Sequence, residues 1–122
     1  MIEALWSVEF SPGDVLRPVD FNGQNWPAGF GILVLETERV FGGDVVNTYI
    51  GSYKVDRGEI EMRVRVKQFN DLPIQSIFGE MDDFEIVLQG TINGETIQLT
   101  GHLSNDPAQR LVALATKRAD LP

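Results

Sequence analysis

The chain has 122 residues, with 10 Lys plus Arg against 18 Asp plus Glu, a formal charge of −8. The length suits one domain, the absence of cysteine excludes disulfide frameworks, thiol catalysis and Cys-based zinc sites, and the acidic balance argues against binding a phosphate backbone. No apolar run approaches the ~20 residues of a membrane-spanning helix, and Met1 to Trp6 carries an acid and no base, unlike a signal peptide. The expectations are a single β-barrel domain over 1–122, no nucleic-acid partner, no membrane association and cytoplasmic residence.

In chain order, Leu5 to Phe10 reads as a first strand, with Trp6, Val8 and Phe10 on one side and Ser7 and Glu9 on the other. Ser11 to Pro27 is a long loop with Pro12, Pro18 and Pro27 that carries apolar Val15, Leu16, Phe21 and Trp26. A loop of that kind often folds over a barrel mouth. Phe30 to Glu36 is apolar on both faces and reads as a buried strand. Arg39 to Phe41 is a brief strand ending at Gly42-Gly43-Asp44. Val46 to Val55 is rich in β-branched and aromatic residues. Glu59 to Lys67 is the clearest strand: Ile60, Met62, Val64 and Val66 alternate with Glu59, Glu61, Arg63, Arg65 and Lys67.

Asp71 to Glu80 reads equally as a loop or as a short helix near 72–80, with Pro73 suited to a first turn. Phe84 to Ile92 and Thr96 to Leu103 alternate around Asn93-Gly94, the signature of a type I′ hairpin. Gly90 and Gly101 inside these strands permit a bend. Leu111 to Thr116 ends the series. Eight short strands joined by tight turns at Thr37-Glu38, Arg57-Gly58 and Asn93-Gly94 predict an all-β, eight-stranded up-and-down barrel.

Chemistry is sparse. His102, the one histidine, lies on a polar strand face with no orienting partner beside it in sequence. Glu80, Asp82 and Asp83 form an acidic group without the spacing of a calcium loop. Gly42-Gly43-Asp44 lacks the lysine and following helix of a phosphate loop, and reads as a sharp turn in which Asp44 accepts backbone hydrogen bonds. Arg63, Arg65 and Lys67 read as a stripe that pairs across strands. No catalytic constellation, metal site or cofactor site is expected. An eight-stranded interior is either filled by side chains or wide enough for one small ligand. If it holds a small hydrophobic ligand, Trp6, Trp26, Leu35 and Met62 are the expected contacts.

The order of segments resembles the GrlR family, negative regulators of bacterial type III secretion, and its bacterial relatives. Leu5-Trp6-Ser7-Val8-Glu9-Phe10, Gly29 to Leu35 and Arg39-Val40-Phe41-Gly42-Gly43-Asp44 carry the resemblance, followed by Tyr49-Ile50-Gly51-Ser52-Tyr53-Lys54-Val55. The charged strand Glu59 to Lys67, Ser76-Ile77-Phe78-Gly79 and Phe84 to Gly90 continue it. The resemblance implies a lipocalin-like barrel that forms a homodimer. It also implies a non-catalytic regulator that binds a transcriptional activator and keeps it off DNA. An exposed acidic Glu-Asp-Glu-Asp motif serves that binding in the family. The matching stretch here is Asp56-Arg57-Gly58-Glu59, where two acids remain and Arg57 and Gly58 interrupt the run. For a dimer patch, Phe69 and Tyr49 or Tyr53 are the candidate aromatics.

Overall fold

The computed structural model describes residues 2–74, 76–79 and 81–122. Alternating sequence becomes antiparallel sheet wherever one face can be buried. β1 (Ala4–Pro12) pairs with both β10 (Asp106–Asp120) and β4 (Gly29–Glu36). Between them run β5 (Arg39–Gly43), β6 (Asn47–Asp56), β7 (Glu59–Gln68), β8 (Asp83–Asn93) and β9 (Thr96–Leu103), each beside its neighbour in sequence. The result is a closed eight-stranded up-and-down barrel. Each strand predicted from alternation falls in one of these eight.

The barrel has a filled end and an open end. The turns after β4, β6 and β8 meet the chain termini at the filled end. There Trp6, Leu35, Val40, Ile60 and Ile97 are all at most 1% exposed. Trp6 donates its indole N–H to the Ile2 carbonyl at 2.9 Å, so its polar atom is satisfied in the core. Thr37 and Glu38 both have positive φ, as do Arg57 and Gly58, the backbone of type I′ turns. Glu3 supports the first of these turns by accepting the Thr37 N–H at 2.7 Å.

Four expectations need correction. First, no helix occurs near 72–80 among the described residues. Ser76 and Gly79 exchange backbone hydrogen bonds of 3.1 and 3.0 Å, closing a tight turn with Ile77 and Phe78 at its tip. Gln75 and Glu80 of that stretch, and Glu80 of the acidic group, lie outside the described residues. Second, β4 is not buried on both faces: Leu33 and Leu35 point inward, but Phe30 and Ile32 are about half exposed. Third, in the β8–β9 hairpin Asn93 is still paired, with Thr96. The turn centre is Gly94-Glu95, of which only Gly94 has positive φ, as in a type II′ turn. Fourth, the Ser11–Pro27 segment is not a simple mouth loop. It contains a separate hairpin of β2 (Pro18–Phe21) and β3 (Gln24–Pro27). Phe21 is 63% and Val15 58% exposed, so these side chains cover no core, and of Val15, Leu16, Phe21 and Trp26 only Leu16 is half-buried.

Outside, two members of the basic stripe of β7, Arg63 and Arg65, pair with β8. Arg63 meets Glu85 at 2.6 Å, and Arg65 grips Asp83 with two bonds of 2.8 and 2.7 Å. The Arg65 guanidinium holds the Asp83 carboxyl below its ordinary pKa. Both pairs are solvent-exposed and add little to stability.

Candidate functional site

At the open end the core stops short of the mouth and leaves an apolar cavity of about 230 Å³. The inward positions of the strands supply its wall, chiefly Leu33, Met62, Val64, Leu88, Leu99 and Ala113. Ile77 and Phe78, at the tip of the Ser76–Gly79 turn, reach over the mouth, and Phe78 meets Phe84 edge-to-face with ring centroids 5.6 Å apart. Ser76 Oγ organises the turn by accepting the Phe78 N–H and donating to the Gly79 carbonyl, each at 3.1 Å.

One polar knot marks the rim, and Asp44 is its hub. One carboxylate oxygen accepts the N–H groups of Val46 at 2.9 Å and Asn47 at 2.7 Å. The other accepts from the Asn47 side-chain amide at 3.4 Å and from the Tyr49 hydroxyl. The Gly-Gly-Asp turn therefore does accept backbone hydrogen bonds through Asp44. The sequence reading missed the phenol. The signal was present, since Tyr49 lies five positions on, across the turn and on the inward side of β6. Gly31 makes the reach possible: a Cβ there would sit 2.8 Å from the Tyr49 hydroxyl.

Burial, then the bond to Asp44 and its negative charge, push the Tyr49 phenol far above its ordinary pKa. The phenol therefore stays protonated in the folded chain when unfolded phenols titrate. Its contribution to stability is complete below about pH 10. It falls away above that by up to ~1.4 kcal/mol per pH unit for each such phenol. Tyr53 is also raised, mainly by burial, and shares the effect. Urea unfolding from pH 8 to 11.5 should show this decline, and Tyr49→Phe should make it shallower. An unchanged slope in the variant would contradict the assignment.

The sequence-predicted ligand contacts separate. Met62 lines the cavity. Trp6 and Leu35 belong to the filled end, 1% and 0% exposed. Trp26 is on the outside of the barrel, 44% exposed, with its ring centroid 6.5 Å from that of Phe30. The candidate dimer aromatics separate too. Phe69 is 58% exposed, whereas Tyr49 and Tyr53 are core residues, 5% and 4% exposed, and are corrected on that ground. His102 is half-buried, and its Nδ1 lies 2.6 Å from the Leu103 carbonyl, a local bond, with no carboxylate partner among the described residues.

Two surface features complete the picture. Asp56, Arg57, Gly58 and Glu59 form the β6–β7 turn at the filled end, opposite the mouth. The side chains of Arg57 and Asp56 are 94% and 91% exposed, 3.9 Å apart. The outer face of β4, β5 and β6 carries a row formed by Val34, Phe41 and Ile50 in direct cross-strand register. Ile32 and Phe30 extend it along β4. Phe30, Ile32 and Ile50 are all more than half exposed, and Phe41 is 39% exposed. Sequence reasoning did not single out Phe41 or Ile50. Each sits beside an apolar residue and a glycine in its own strand, Val40 and Gly42 or Tyr49 and Gly51, so no local alternation marks its outward face, and only the register aligns them with β4. No family model matches the chain, and no curated protein matches it.

Proposed function

We propose that this is a non-enzymatic, cytoplasmic interaction protein: a homodimer that binds a protein partner, in the manner of a regulator that sequesters a transcriptional activator. The observation that carries the reading is the exposed row Val34–Phe41–Ile50 with Ile32 and Phe30. A contiguous apolar patch on the outer strand faces marks an interaction surface. The homodimer uses this face. The Asp56–Glu59 turn is at the far end of β6 and stays free in such a dimer. A chain of charge −8 favours a basic partner over DNA. The resemblance to the GrlR family supplies the class of partner.

The test is capture of partners from the native cell extract with the full chain. A basic protein should be retained by the wild type and lost with Asp56→Lys/Glu59→Lys. Retention of nothing above background, or equal retention by the double variant, would overturn this assignment.

A second reading, a barrel that carries a small hydrophobic ligand, rests on the apolar cavity of about 230 Å³, which is below the ~300 Å³ of drug-sized ligand pockets and suits only a smaller molecule.

A further inference from the structure

We infer that the cavity is a site for one neutral, apolar molecule of about nine non-hydrogen atoms bearing at most one hydroxyl, such as a medium-chain alcohol. The inference rests on the ligand-carrying reading and names its ligand class. Size comes first. An apolar protein cavity of about 150 Å³ stays dry and takes up benzene, with its six carbons. Scaling to 230 Å³ gives about nine heavy atoms.

Charge comes next. Among the described residues that line the cavity there is no Lys or Arg, and the one charged group is Asp44 at the rim. A carboxylate or phosphate headgroup would meet no counter-charge inside and a negative charge at the mouth, and a buried unpaired anion is costly. A cationic headgroup would find the Asp44 oxygens already occupied by the N–H groups of Val46 and Asn47, the Asn47 amide and the Tyr49 hydroxyl. Ser76 Oγ is likewise committed on both sides to its own turn. Among the rim acceptors with a lone pair left open is the Tyr49 oxygen, which donates to Asp44. That atom matches a single ligand hydroxyl.

Three probes of equal chain length separate the possibilities: 1-octanol, octanoate and octylamine, each titrated at pH 7 into ¹⁵N-labelled protein. 1-Octanol should shift amides of Met62, Leu88 and Leu99 saturably and leave the filled end around Trp6 and Leu35 unmoved. Octanoate and octylamine should bind at least ten-fold more weakly. Ala113→Leu adds bulk to the cavity wall and should abolish the octanol shifts. If that variant does not fold, Val64→Leu is the substitute, with the same expectation. Octanoate or octylamine binding as tightly as octanol would overturn the neutral class and leave the ligand-carrying reading standing. Absence of saturable shifts from all three at millimolar concentration would overturn both.

Discussion

Trp6→Ala should lower the unfolding free energy by about 3–5 kcal/mol, the range for deleting a large aromatic from a packed core. Trp6 is 1% exposed and faces Leu33 across the β1–β4 ladder. Its neighbours at the filled end are fixed by turns and by strand closure, so the space cannot collapse. The indole also donates to Ile2, and its loss leaves that carbonyl without this donor. Met62→Ala is the useful contrast. Met62 faces the existing cavity, where a shortened side chain enlarges a space already present and forfeits fewer contacts. Chemical denaturation of both variants measures this. A loss below 1 kcal/mol for Trp6→Ala would show that the filled end is not packed as described.

Gly90→Ala should cost about 3 kcal/mol, at the upper end of overpacking penalties. Gly90 lies opposite both Ile60 and Leu99 inside β8. A Cβ there would lie 1.8 Å from the Gln98 carbonyl oxygen and 3.0 Å from Leu99 Cα. The obstacle is backbone, so no side chain can turn aside, and β8 and β9 would have to part locally. Gly94→Ala, in the turn of the same hairpin, meets no atom within 4 Å and suffers only from its positive φ of 65°. It should cost less, about 1–2 kcal/mol. Equal costs at the two positions would mean that close strand approach does not dictate glycine at Gly90. The sequence reading allowed a bend at Gly90, whereas the register runs through it without a break and the glycine serves the close approach of β9. That neighbouring strand carries no local signal.

The barrel itself was legible because period-two alternation and tight turns act locally. Ile60, Met62, Val64 and Val66 state which face of β7 is inside with no reference to the rest of the chain. The features that bear on function depend on register. Phe41 and Ile50 become part of a surface row only when β5 and β6 align with Val34. β4 looked buried on both sides because an apolar residue on the outer face and one facing a core are the same residue in sequence. Trp26 illustrates the converse: an aromatic in a proline-rich loop reads as a lid, yet it packs outside against Phe30. The Asp44–Tyr49 knot spans a turn whose geometry decides whether the phenol points at the carboxylate. Ser76 to Gly79 forms a hydrogen-bonded turn where a helix start at Pro73 was equally consistent with composition.

The proposed interface between two copies of the chain, on the outer face of β4–β6, is open to sedimentation equilibrium over a concentration range around 10–100 µM. That interface predicts twice the chain mass of 13.6 kDa for the wild type. It also predicts a single chain mass, with the β-rich fold retained by circular dichroism, for Phe41→Glu, because a charge at the centre of an apolar contact is not tolerated there but is accommodated on a free surface. A wild type that sediments at 13.6 kDa throughout, or a dimer that Phe41→Glu leaves intact, would contradict it.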